Sequence, residues 1–114
     1  MNTQTEFVKV LGPNGQCYHG GAGTWPVPGR RDAVGLLLPC VNGIHILSMR
    51  QLPLWLGPCI HPVLAYSTDE IIVQGNNVVV RWAEIDEAYE TWNPTTQRLF
   101  ACDCAERALR AARA

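Results

Sequence analysis

The sequence predicts an α+β fold: a small antiparallel twisted sheet, a short helix near residues 48–56, and a long C-terminal helix, 94–113, packed on one face of the sheet. Three observations predict it. Short runs rich in Val, Ile, Phe and Tyr recur between Gly, Pro and Asn turns, the pattern of strands in a half-buried sheet. Ile71-Ile72-Val73, then Gly75-Asn76-Asn77, then Val78 to Ile85 spells a β-hairpin. After Asn93-Pro94 the apolar residues recur with the 3.6-residue period of a helix. No internal repeat, low-complexity tract or linker divides the chain, so residues 1–114 are expected to form a single α+β domain.

The first strand is expected from Thr5 to Leu11, with Phe7, Val8 and Val10 as its apolar members, closed by the Gly12-Pro13-Asn14-Gly15 turn. Gln16 to Asp32 carries Gly20, Gly21, Gly23, Pro26, Pro28 and Gly29 around Trp25, and reads as a long irregular loop or a short strand with wide turns. Val34 to Leu38 and Ile44 to Leu47 read as strands. Ser48 can cap a short helix through Leu56 that turns Leu52, Trp55 and Leu56 inward. Pro53 sits late for that cap and favours a 3₁₀ turn or a later start. Gly57-Pro58 stops it. Cys59 to Tyr66 follows as a strand, pushed by Pro62 toward an edge or a bulge. In the last helix Asn93 is the N-cap and Pro94 the first helical residue. Phe100, Ala101, Cys104, Ala105, Ala108, Leu109, Ala111 and Ala112 fill one arc of the helical wheel, and Asp103, Glu106, Arg107, Arg110 and Arg113 the opposite one. Asp103 with Arg107, and Glu106 with Arg110, are i,i+4 pairs in the favourable order.

Composition bounds the function. With 47% hydrophobic and 17% charged residues, the chain is globular rather than disordered. A net charge of −1 offers no overall field for nucleic acid or an anionic membrane, so neither is an expected partner. The N-terminus is polar and no apolar run reaches about 18 residues, which leads to the expectation of no signal peptide, no membrane span and a cytoplasmic address. Lys9 is the sole lysine beside eight arginines, a bias typical of GC-rich coding. Five cysteines, an odd number with no CxxC pair, read as reduced thiols.

Cys17, His19, Cys59 and His61 could form a zinc tetrahedron if their loops met, but the spacing lacks the tight pairs of structural sites. Packing cysteines and hydrogen-bonded histidines are the simpler account, and no metal ligand, catalytic residue or cofactor is assigned. Cys40 with His45, and Cys17 with His19, fit no nucleophile signature. Gly20-Gly21-Ala22-Gly23 lacks the Lys-Ser/Thr ending of a P-loop. The acidic run Glu84, Asp86, Glu87 and Glu90, with Asp69 and Glu70 nearby, is either a solvated face or a docking patch for a basic partner. Of the four tryptophans, Trp55 and Trp92 suit the core, and Trp25 in the Gly/Pro loop suits an exposed aromatic anchor.

Three stretches resemble a family of small domains of unknown function found in phage and actinobacterial proteins. They are Leu11-Gly12-Pro13-Asn14-Gly15-Gln16 with His19-Gly20-Gly21; Leu38-Pro39-Cys40-Val41-Asn42-Gly43-Ile44-His45 with Trp55-Leu56-Gly57; and Glu90-Thr91-Trp92-Asn93 with Thr96 through Arg107. Where the family pattern carries a Cys after its central His, this chain has Ile46 and Leu47. The resemblance implies a phage-type accessory protein and brings no activity with it. More loosely, His19-Gly20 followed by Gly43-Ile44-His45-Ile46 and a short helix resembles the layout of ADP-ribosyltransferase folds, for which His19, Tyr66 and one of Glu84 or Glu87 are the available set. The leading expectation is a non-catalytic protein-interaction module that binds a protein partner through Trp25, Glu84, Asp86, Glu87 and Glu90. A host defence or transcription component is the partner class that the resemblance suggests. A nucleotide-binding or transferase enzyme and a zinc-stabilised domain are the alternatives.

Overall fold

The computed structural model describes residues 7–19, 23–39, 41–75 and 77–113. The expected strand start at Thr5, most of the glycine stretch at 20–22, Cys40 and Asn76 lie outside the described residues. The elements in order are β1 (Phe7–Leu11), β2 (Gly29–Asp32), β3 (Ile44–Ser48), a 3₁₀ turn (Leu52–Leu54), β4 (Cys59–Tyr66), β5 (Ile71–Gln74), β6 (Asn77–Val80), β7 (Trp82–Ile85) and α1 (Pro94–Arg113). This is an α+β fold: seven antiparallel strands in the order β2-β7-β4-β1-β3-β6-β5, plus one long helix.

That order forces the sheet to curl. Four strand steps separate β6 from β7 across the sheet, about 19 Å if it were flat, yet only Arg81 separates them along the chain. Two residues of extended chain span about 7 Å. The run expected as one strand, Val78 to Ile85, is therefore a bent tie between the two sides of the sheet, with β6 paired to β3 and β5 and β7 paired to β4 and β2. Ser67, buried at 2% exposure, pins the bend. Its hydroxyl accepts the backbone N–H of Arg81 at 2.8 Å and of Trp82 at 3.3 Å. Arg81 itself grips Glu70 in a two-toothed ion pair and donates to the carbonyl of Gly35 at 2.6 Å.

Curling gives two apolar clusters. Inside lie Leu11, Trp25, Ile44, Ile46, Val78, Val80, Ala83 and Ile85. Outside, on the back of β1, β3 and β4, lie Val8, Val10, Leu47, Leu52 and Ile60, covered by Trp55, Leu56 and Trp92. The alternation of β1, with Phe7 and Leu11 inward and Val8 and Val10 outward, serves both clusters at once.

Cys59 to Tyr66 forms the expected strand, but β4 is central rather than an edge. Pro62 is tolerated there because its carbonyl accepts the Asp86 N–H on the β7 side, and its protonless nitrogen faces the same side, beside the register shift between Val63 and Ala65. The short helix near 48–56 contracts to the 3₁₀ turn. Val34 to Leu38 is not a strand. Gly35 has φ +90°, and the segment's carbonyls are taken by side chains instead of a ladder: Asn42 Nδ2 donates to Val34 and Leu36, and Arg81 to Gly35.

Two further expectations are overturned. Trp25 is not an exposed anchor: at 4% exposure it belongs to the inner cluster. Its N–H bonds to the Gly15 carbonyl at 2.8 Å, and Gly15, at φ +81°, lets the Gly/Pro loop fold back so that the indole plugs the curl. A five-strand curl leaves an open end that a large apolar side chain fills best. The second correction concerns α1. It forms at residues 94–113, with Asn93 Oδ1 accepting the Thr96 N–H at 2.9 Å as an N-cap should, but it does not pack on the sheet. No described residue of α1 is buried, and from Arg98 to Arg113 every residue is exposed. The inner face is covered by curling, and the outer patch around Val8, Val10, Leu47 and Ile60 by the 3₁₀ segment, Trp55, Leu56 and Trp92. Only the helix root is tied, through Gln97 Nε2 to the Pro58 carbonyl at 3.0 Å and an edge contact between Trp92 and Phe100. The molecule is accordingly long, 50 × 35 × 27 Å, with a radius of gyration of 15.4 Å where about 13 Å suits a compact chain of this length.

Candidate functional site

Two regions carry features beyond packing. The first is a cavity of about 510 Å³ at the end of β1 and β3, with Lys9, Cys17, Trp25, Arg31, Asn42 and His45 in its wall. Lys9 stands between the inward residues Phe7 and Leu11, so strand alternation aims its side chain into the curl. Its ammonium donates to the His45 carbonyl at 2.7 Å and lies 5.7 Å from the centre of the Trp25 ring. Burial pulls its pKa down from 10.5 to about 8, the Cys17 thiol partly opposing and the Arg31 charge reinforcing that shift. Burial, and secondarily the Lys9 charge, holds the His45 imidazole below its ordinary range, so it is neutral at pH 7. Arg31 Nη1 reaches Cys17 Sγ at 3.6 Å. Asp32, the carboxylate in the described lining, is already engaged by Arg30 through two 2.8 Å hydrogen bonds, which keep its carboxyl below the usual range.

The second region is α1 and the cleft at its root, where Leu56, Pro58, Trp92, Phe100, Ala101 and Cys104 meet. Phe100 and Leu109 are 41% and 56% exposed, so the apolar arc of the helix meets solvent. The i,i+4 pairs form as expected, Arg107 to Asp103 at 3.1 Å and Arg110 to Glu106 at 2.7 Å.

The residues expected to bind a partner do not converge. Trp25 is interior, whereas Glu84, Asp86, Glu87 and Glu90 are all exposed. Glu84 pairs in register with Arg30, whose guanidinium also stacks on Trp82 at 4.0 Å, and Glu70 is held by Arg81. Asp86 turns inward through its backbone: its N–H bonds Pro62 and its carbonyl accepts His61 Nδ1–H at 2.9 Å. The transferase set is not gathered either. His19 lines the cavity, but Tyr66, Glu84 and Glu87 do not, and Tyr66 stacks edge-on with Phe7 in the core. His19 Nε2–H is spent on the carbonyls of Trp55 and Leu56, at 2.7 and 2.9 Å, tying the Gly-rich loop to the 3₁₀ segment. Among the described residues no three of His, Cys, Asp and Glu gather as a metal would require, and His61 is buried on its own hydrogen bond.

Lys9, Arg31 and His45 were not singled out by the sequence as a group. One signal pointed to them: a lone lysine at an inward position of a predicted strand is expensive unless something compensates it. Comparison of the chain with protein-family models, with curated proteins and with solved structures finds no match.

Proposed function

We propose that the protein is a non-catalytic interaction module that docks a protein partner along the apolar arc of α1. The observation that carries this is a 20-residue amphipathic helix with no described residue buried. Helices in water draw most of their stability from packing an apolar face, and an exposed stripe of this kind is the signature of a binding surface. The partner has an apolar groove, entered at the cleft beside Trp92 and Phe100. The charged arc opposite is largely self-neutralised, Arg107 pairing with Asp103 and Arg110 with Glu106, so the apolar arc rather than charge sets the fit. The likeness to phage accessory domains agrees with a binding role, and on that likeness the partner belongs to host defence or transcription. Glu87 and Glu90 are exposed beyond the end of β7 and form a secondary surface.

Site-resolved cross-linking tests this. A photoreactive maleimide on Cys104, in a background with Cys17, Cys40, Cys59 and Cys102 replaced by Ser, sits on the apolar arc. The same probe on Asp103→Cys, in that background with Cys104→Ser, sits on the opposite arc. Exposure to lysate of the producing organism should trap a protein from position 104, with at least tenfold less trapped from position 103. Equal capture from both positions, or none from either, overturns the proposal.

A further inference from the structure

The cavity beside Lys9 has no part in docking along α1, and its chemistry is of a different kind. We infer that it is a binding site for a small organic anion, whose carboxylate or phosphate head lies between Lys9 and Arg31 and whose apolar body rests against Val34 and Val41 at the mouth. Three observations converge. The volume, about 510 Å³, is that of a small-ligand site. The charge among the described lining residues is positive on balance: Lys9 and Arg31 line it, and the Asp32 carboxylate is held by two hydrogen bonds from Arg30. The polarity is graded, because Lys9 lies deep, over Trp25, whereas Val34 and Val41 are 86% and 77% exposed. An amphiphilic anion matches that gradient from floor to rim.

The electrostatics of the floor explain why an anion, rather than a neutral molecule, is wanted there. Lys9 has three N–H groups, and the described structure gives them one hydrogen-bond acceptor, the His45 carbonyl, plus the face of Trp25. The charge is under-compensated for its burial, which is why its pKa falls to about 8. An oxyanion supplies the missing acceptors and the missing countercharge together. Among the described residues, the titratable and charged groups that face or neighbour Lys9 are Cys17 from the loop after β1, Arg31 from β2 and His45 from β3, with His19 and Asp32 farther along the wall. None of these places a free carboxylate against the ammonium.

The sole lysine provides a clean probe. Protein made with ¹³C-labelled lysine gives one ε-methylene resonance, that of Lys9, which is titrated with phenyl phosphate, benzoate, inorganic phosphate and benzylamine. Phenyl phosphate and benzoate should shift the resonance saturably and raise the Lys9 pKa. Whichever of the two binds at the lower concentration identifies the head group. Inorganic phosphate should bind at least tenfold more weakly and benzylamine not at all. Both aromatic probes keep their charge from pH 7 to 9, so their affinity should drop about tenfold over that range as the protonated fraction of Lys9 drops. Arg31→Gln should weaken both by about tenfold while the Lys9 resonance stays observable. Lys9→Met, followed by isothermal calorimetry, should abolish binding in a folded protein. An unshifted resonance, inorganic phosphate binding as well as phenyl phosphate, or affinity unchanged in Arg31→Gln overturns the inference.

Discussion

The inner face of the curled sheet and the apolar arc of α1 carry side chains of the same kind and treat them oppositely. Leu11, Ile46 and Ile85 are fully buried, whereas Phe100 and Leu109 stand 41% and 56% exposed on a helix that, among the described residues, is tied to the body at its root. Hydrophobic burial stabilises a fold only where the area leaves water. The curl is thus where the chain's stability resides, and α1 is where its apolar surface is held in reserve. Substitutions that are equivalent on paper should differ by several kcal/mol between the two regions.

The largest effect belongs to the plug. Trp25→Ala empties the centre of the inner cluster and should cost about 3–5 kcal/mol, read as a lowered urea midpoint. A loss below about 1 kcal/mol would mean that the indole sits on the surface, and the contrast between the two regions would vanish with it.

Next comes a substitution expected to stabilise. Lys9 has a folded pKa of about 8 against 10.5 in the open chain, so between those values the unfolded state holds the proton that the native state has lost. Unfolding then binds protons, and stability rises with pH across the window 8–10.5. Below pH 8 the charge is present in both states and the burial penalty is complete, at most about 3 kcal/mol from the size of the shift. Lys9→Met should therefore be the more stable protein at pH 7, and the gap between the two should close from pH 8 to 10.5. Chemical denaturation of the pair along that series measures it.

A smaller effect is expected at the corner. Ser67→Ala leaves the N–H groups of Arg81 and Trp82 without their buried acceptor and should cost about 1–3 kcal/mol. Ser67→Thr keeps the hydroxyl and should recover much of that loss if its methyl is accommodated. Equal losses in both variants would show that packing, rather than the hydrogen bonds, holds the bend.

What was legible in the sequence follows the same division. Local signals read true: the Asn93-Pro94 cap and the limits of β4 and α1 all depend on residues a few positions apart. Misreadings came where distant residues decide the outcome. Val34 to Leu38 has the composition of a strand, but Asn42 and Arg81 take its carbonyls. Trp25 lies in a Gly/Pro loop that composition marks as surface, yet the curl needed a plug. The amphipathic pattern of α1 correctly gave a helix and wrongly gave a docked one, because periodicity records which face avoids water and not what covers it. The cavity was hidden for a similar reason. Lys9, Arg31 and His45 come from three strands, and only the order of those strands brings them together.

The smallest stability effect is the most discriminating. Leu109 is 56% exposed and α1 buries none of its described residues, so Leu109→Ala should change the unfolding free energy of the isolated protein by less than about 0.5 kcal/mol. Leu11→Ala, the same chemical change in the inner cluster, should cost about 2–5 kcal/mol. If α1 is a docking element, the order reverses when binding is measured. Leu109→Glu places a carboxylate on the apolar arc, against the apolar groove expected of the partner, and should reduce trapping from Cys104 at least tenfold. It should leave the thermal midpoint of the free protein nearly unchanged. A Leu109→Ala variant that unfolds as readily as Leu11→Ala would instead show that the arc is covered within the molecule itself, and α1 would then be part of the core rather than a surface offered to something else.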